Sequence, residues 1–267
     1  MPFTVSHIAA VLPGHRMLSR ARVFSAAVIG SMVPDFGLLL PVFAPRFETH
    51  SLLGLFTFCL PVGLIAYWLT LVLIKPAMLE IVPDGAYARV REMDAAAPGT
   101  SPGSWFYAAM AILLGAITHL VWDAFTHEHS GGVRMFPVLK DYGPEVVGHT
   151  LRLYAWLQYG SSIIGLIIVI AALVLWLNHV PQPPRHPPRR IARAERWLWG
   201  SLYLGLPLLA IAVTFWHTSA QGQLILAIGI WLDQVAIAGM RASVLSLLIV
   251  SLLLRARLAL VNPAGSP

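Results

Sequence analysis

The side chains able to do chemistry are few in this chain, and the sharpest group is His119-Leu-Val-Trp-Asp123-Ala-Phe-Thr-His127. On a helix each step of four residues advances about 40° around the axis, so His119, Asp123 and His127 share one face. A neutral imidazole and a carboxylate on successive turns form half of a site for a hard or borderline divalent metal. The same spacing serves equally for a buried His–Asp hydrogen bond that closes a helix end. Asp123 interrupts an apolar stretch, and a carboxylate facing lipid is costly, so it must face the protein interior or water and have a partner.

Other positions extend the group. In Gly30-Ser-Met-Val-Pro34-Asp35 a carboxylate follows a proline inside an apolar run. Pro34 interrupts the helix and frees backbone groups, which places irregular chain beside a cavity rather than against lipid. His50 stands in Thr49-His50-Ser51, where a histidine at an interface is more often incidental, and His7 in Thr4-Val5-Ser6-His7 is equally weak alone. His129 and His149 lie further on. The unusual feature is the set: two carboxylates within apolar runs and several histidines at or near helix ends.

The elements that must position them follow from composition. Of 267 residues 57% are hydrophobic and 11% charged, where an ordinary soluble domain has roughly 25% charged. The apolar residues gather into runs over 23–43, 52–74, 105–122, 160–177, 198–216 and 224–254. Each is near the length of about 20 residues that crosses a bilayer as helix. A lipid-exposed span satisfies its own backbone hydrogen bonds, and period-two alternation is absent, so the reading is an all-α, polytopic membrane bundle with about six membrane-embedded segments. Tryptophans 68, 105, 122, 176, 197, 199, 216 and 231 mostly flank the runs, as interfacial anchors do.

Basic residues of short loops mark the cytoplasmic side. Arg185, Arg189, Arg190, Arg193 and Arg196 place the Pro/Arg-rich linker 179–197 there, with its Pro181–Pro188 stretch as extended chain, and Arg16, Arg20, Arg22, Lys75, Arg89, Arg91, Arg255 and Arg257 fall on the same side. Thr126 to Tyr159 is then extracytoplasmic, and Arg134, Lys140 and Arg152 weigh the other way. This orientation sets His7 beside cytoplasmic basic residues but His50 and His127 outside, so His7 joins them only if Val5 to Pro13 dips into the membrane. Residues 1–150 read as the half holding the site and 151–267 as membrane scaffold. In the latter, Asp233 and Arg241 share roughly one helix face; an ion path would use such a pair, and an interfacial position for Asp233 is the favoured reading. Cys59 lies inside an apolar run and, as the single cysteine, excludes an intrachain disulfide. The first 22 residues do not read as a cleaved signal peptide.

The opening Met-Pro-Phe-Thr-x-Ser-His, the Gly-Ser-Met-x-Pro-Asp-Phe segment, His50-Ser51 and the Thr-His-x-x-Trp-Asp-x-x-Thr-His segment resemble a bacterial family of uncharacterised membrane proteins. That family is similar to the membrane-bound metal-dependent hydrolases. More distantly it looks like the zinc-dependent phospholipase C and single-strand zinc nuclease superfamily. The resemblance covers about the first 150 residues. It implies that Asp35, His50, His119 and Asp123 hold a first metal, with zinc the expected ion, and that His7 and a bridging Asp123 contribute to a second. His127, His129 and His149 are the local candidates for further ligands. No second His-x-x-x-Asp follows His149 and the N-terminal tryptophan of the soluble enzymes is missing, which favours one or two metals over three.

A divalent ion polarises a phosphoryl or acyl oxygen and acidifies a bound water. Asp35 or Asp123 would accept that water's proton, with Thr126, Thr118, Thr49 or Glu128 orienting imidazoles. The expected function is a hydrolase of phosphoester or lipid-like substrates in a bacterial inner membrane. Its partners would be membrane lipid and a phosphate-containing small molecule or lipid. Arg134, Lys140 and Arg152 either attract its head group or form a solvated loop face. Nucleic acid is not expected, and oligomeric state is left open. A cation transporter and a non-enzymatic scaffold are the competing readings.

Overall fold

A computed structural model describes residues 4–39, 45–84, 86–87, 101–146, 149–179, 190–220 and 228–261. Within them the side chains of Val146, His149, Ala220, Val261 and residues 228–233 are outside the description. Among the described residues the regular structure is helical apart from one hairpin. A 3-10 segment, Thr4–Ala10, leads to α1 (His15–Arg20) and α2 (Phe24–Met32). A 3-10 turn, Val33–Asp35, and α3 (Phe36–Leu39) follow, then α4 (Arg46–Thr49), α5 (Leu52–Ile81) and α6 (Pro102–Thr126). Beyond them come α7 (Gly131–Met135), the antiparallel pair β1 (Tyr142–Val146) and β2 (His149–Arg152), α8 (Leu153–His179), α9 (Arg193–Ala220) and α10 (Ile228–Val261).

Five of these helices are long and apolar enough to cross a membrane: α5, α6, α8, and the stretches Arg193–Ser219 and Gln234–Leu260. The protein is an all-α membrane bundle. The remaining expected segment is the shorter apolar stretch Phe24–Leu39, interrupted where Pro34 begins the turn that carries Asp35. Of the Pro/Arg-rich linker 179–197, residues 180–189 lie outside the described residues, while Arg193 to Trp197 form the start of α9.

Proline shapes α5 in the same way. Its π-helical turns, Leu55–Cys59 and Thr70–Ile74, stand just ahead of Pro61 and Pro76. A proline donates no N–H to the carbonyl four residues back, and a wider turn accommodates the loss.

The chain divides into two compact units. The first comprises Met1–Tyr67 and Pro98–Leu175. Its centre is the packing of α2 on α6, where most of the buried residues are small: Ala26, Ala27, Gly30 and Ser31 against Ala108, Ala111, Gly115 and Ala116, with Ile29 and Ile112 larger. Lipid tails are as apolar as leucine, so helices in a membrane associate through close backbone approach and van der Waals contact, which small residues allow. A β-carbon on Gly30 would stand 2.2 Å from the Ile112 carbonyl oxygen, and one on Gly115 2.2 Å from that of Ala27. In this unit α8 makes room for the first segment in the same manner, since a β-carbon on Gly165 would come 2.9 Å from Ser6.

The second unit comprises Trp68–Ala97 and Trp176–Pro267. There α9 packs on α10, with Ser246 Oγ donating to the Leu202 and Tyr203 carbonyls, and Ala77, Ile191, Leu254 and Leu258 form an apolar core. All the carboxylates and histidines expected at the site, His149 included, belong to the first unit.

Candidate metal centre

Four side chains from three stretches of chain meet in the first unit. Asp35, His50, His119 and Asp123 each present one donor atom, all within 4.8 Å of one another. His50 Nε2 lies 3.3 Å from Asp35 Oδ1 and 3.4 Å from Asp123 Oδ2, and His119 Nε2 lies 3.5 Å from each of the same two oxygens.

Each donor is aimed from behind. His119 Nδ1 donates to the Ser31 carbonyl at 2.8 Å, so the α2–α6 packing that brings Ser31 to α6 also sets this imidazole. His50 is held at the end of α4, where its Nδ1 meets the Arg46 carbonyl at 3.2 Å and Thr49 Oγ1 at 2.9 Å. Ser51 fastens that turn by donating to the Glu48 carbonyl while accepting from the Gly54 N–H, each at 2.8 Å. Asp35 Oδ2 accepts from Thr4 Oγ1 at 2.7 Å. With both Nδ1 atoms committed to protonated, donating roles, both Nε2 atoms carry lone pairs, as metal-bound histidines do.

Those lone pairs have nothing to bind. His50 Nε2, His119 Nε2 and Asp35 Oδ1 are buried and make no hydrogen bond, although they face one another. Leaving buried acceptors unmatched costs about 1–3 kcal/mol apiece, and two lone-pair nitrogens facing two carboxylates call for a cation between them. A tetrahedral ion with ligands at about 2.0–2.2 Å has donor–donor edges of roughly 3.3–3.6 Å. The four imidazole–carboxylate separations match those edges and the other two lie within 4.8 Å, so the donor set fits a divalent metal.

His7 joins the cluster from the Thr4–Ala10 segment. Its ring stacks on His119 with centroids 3.8 Å apart, and its Nε2 is 3.6 Å from Asp123 Oδ1. The first segment therefore does reach the site, and Asp123 turns one oxygen to His7 and the other to the four-donor group. Burial, with His119 alongside, lowers the His7 imidazole to about 4, so it is neutral at physiological pH.

His127 lies alongside but is otherwise engaged. Its Nδ1 meets the Asp123 carbonyl at 3.3 Å and Thr126 Oγ1 at 3.1 Å, and its Nε2 accepts from Arg46 Nη2 at 3.0 Å. Burial, opposed by Asp123 and aided by Arg46, lowers it to about 4. His149 is in β2, and its side chain lies outside the described residues. His129 and Glu128 are exposed on the turn after α6. Thr118 Oγ1 bonds its own helix at the Gly115 carbonyl. Arg134 and Lys140 are exposed, while Arg152 braces the hairpin by donating to the Lys140 carbonyl at 2.6 Å and covering the Tyr142 ring.

Arg46 was not among the residues singled out from sequence, yet its Nη2 lies 2.6 Å from Asp123 Oδ2. An arginine between Pro45 and Phe47 ahead of an apolar span reads as an interfacial anchor; only its spacing of four from His50 hints at more. Thr4 and the Ser31 carbonyl were likewise missed as supports. A cavity of about 740 Å³ opens beside the cluster, bordered by Arg46, His50, Asp123 and His127 among polar residues and by Phe47, Leu52 and Leu120.

Fold and site together define an integral membrane protein with a buried His/Asp cluster beside a cavity that His50 and Asp123 border. By family, the chain belongs to the one described as Domain of unknown function (DUF4184), whose model matches residues 1–252. No curated protein and no solved structure matches the chain.

Proposed function

We propose that this protein is a metal-dependent hydrolase of phosphoester or lipid-like substrates, resident in a bacterial inner membrane, with zinc as its ion. The observation that carries the reading is the convergence of two buried, unbonded imidazole nitrogens, His50 Nε2 and His119 Nε2, on the carboxylates of Asp35 and Asp123. Asp35, His50, His119 and Asp123 would hold the ion, with His7 and Asp123 Oδ1 available to a second. The family description assigns no activity, so the likeness to membrane-bound hydrolases and to the phospholipase C and zinc nuclease superfamily rests on the motif residues alone. Transport is less well supported: transporter sites lie between related halves, and among the described residues a single such cluster occurs, confined to one unit.

The bound ion supplies Lewis acidity and an acidified water. The chain's residues supply the rest. Ser31 and the α4 turn fix both imidazole tautomers. Thr4 holds Asp35, almost fully buried, in place as a ligand. Asp123 borders the cavity and keeps Oδ1 clear of the four-donor group, so Oδ1 is the atom suited to take a proton. His7 Nε2 beside it can receive that proton in turn.

Protein extracted in mild detergent should carry about one or two divalent ions by elemental analysis. It should cleave a phosphodiester or phosphomonoester, lose that activity to a chelator and regain it with zinc. Protein that is metal-free and does not rebind zinc would sink the proposal. For orientation, a cysteine introduced at Gln182 should resist an impermeant thiol reagent in intact cells and react after lysis; labelling from outside would invert the topology.

A further inference from the structure

We infer that Arg46 is the anion-binding residue for a phosphate-bearing substrate, held in reserve on Asp123 and released when metal binds. This rests on the metal-centre reading above. The observation is a conflict over one atom. Asp123 Oδ2 lies 2.6 Å from Arg46 Nη2, and the same oxygen is the one aimed at His50 Nε2 and His119 Nε2. A divalent ion among the four donors would take that oxygen's electron density and set a second positive charge close to the guanidinium. Unlike charges that share a partner in water, this pair is only a third exposed on the arginine side and a tenth on the aspartate side, so the repulsion is poorly screened. The ion pair weakens as the ion enters.

The released guanidinium stays on the cavity wall. Its other contact, His127 Nε2, accepts through a single lone pair, a poor match for five donors in a planar fork. The ligand that fits such a fork is a phosphate or phosphoester, which accepts in bidentate fashion. The cavity has the volume usual for a small-molecule site, and Phe47, Leu52 and Leu120 give it an apolar wall beside Arg46. The ligand is therefore a phosphate group bearing an apolar substituent, drawn from a lipid head group or a soluble ester.

The device has a thermodynamic signature: metal and phosphate must bind cooperatively, each tightening the other by the same factor. Zinc affinity of the full-length protein in detergent is measured by competition with a chromophoric chelator, with and without inorganic phosphate. Phosphate should tighten zinc binding at least about tenfold, the worth of a charge-assisted bidentate contact. In Arg46→Met the zinc affinity without phosphate should equal or exceed wild type, and the effect of phosphate should shrink to about twofold or less. Arg46→Lys keeps the charge without the fork and should retain only part of the coupling, which guards against a methionine variant that misfolds. Coupling that persists in full in Arg46→Met, or zinc binding lost with the arginine, overturns the inference and leaves the metal reading intact. Wild-type protein that binds no zinc overturns both. Mixed micelles containing short-chain phosphatidate, against diacylglycerol as control, separate the sources: tightening beyond that given by inorganic phosphate assigns the lipid head group, and equal tightening assigns the soluble ester.

Discussion

Asp123→Ala protein is expected to come off the membrane folded and without its divalent ion. Asp123 is the most connected residue of the cluster, with His50 and His119 at 3.4 and 3.5 Å on one oxygen and His7 at 3.6 Å on the other. Losing an outer-shell partner of a metal ligand already costs about 10–100-fold in metal affinity. Losing a carboxylate ligand should cost at least about a hundredfold on the same scale. Insertion should not suffer, because a charged residue at this depth of an apolar helix opposes insertion and its removal relieves that penalty. Zinc affinity by chelator competition and helicity by circular dichroism separate the two effects. A variant that keeps wild-type zinc affinity would remove Asp123 from the centre.

Gly115→Leu should abolish metal binding nearly as completely without touching a ligand. The first side-chain carbon would fall 2.2 Å from the Ala27 carbonyl oxygen and 2.6 Å from the Ser31 nitrogen. Both obstacles are backbone, so no side chain can turn aside, and α2 must move off α6. Overpacking typically costs about 1–3 kcal/mol, and a backbone obstacle places this change at the upper end. The Ser31 carbonyl holds His119 Nδ1 at 2.8 Å, and the chain from Ser31 leads directly into the Asp35 turn. Separation therefore releases two donors together. Gly160→Ala, with nothing within 4 Å of the new carbon, is the control and should bind zinc as wild type does. If Gly115→Leu protein binds zinc normally, the helix pair does not set the site.

The parts of this structure legible in the sequence are those encoded by local chemistry. Apolar runs announced the long helices because hydrocarbon leaves a chain no other way to satisfy its backbone. His119 and Asp123 were readable as one face because four-residue spacing is a property of the helix itself, and Asp35 because a carboxylate behind Pro34 inside an apolar run has no bland place to go. His50 and His7 were weak as single residues, since nothing in their neighbours says that the α4 turn and the Thr4–Ala10 segment close over α6. Arg46 was passed over for a related reason. Its meaning lies in a contact with Asp123, far along the chain, and its local context is that of an ordinary interfacial arginine. The hairpin of β1 and β2 was hidden within a stretch read only as an extracytoplasmic loop, its pairing interrupted by an irregularity between Tyr142 and Glu145.

The donors are drawn from stretches that leave the ribosome at different times. His7, Asp35 and His50 are made well before His119 and Asp123, and at about 5–20 residues per second the interval is several seconds. During it the early ligands wait without α6, whose Gly115 face must seat against α2 before Ser31 can orient His119. On the proposed metal reading, cation loading would be a late event in biogenesis, after the span Pro102–Thr126 has entered the bilayer, and a nascent chain stalled before that point would hold only half a coordination sphere.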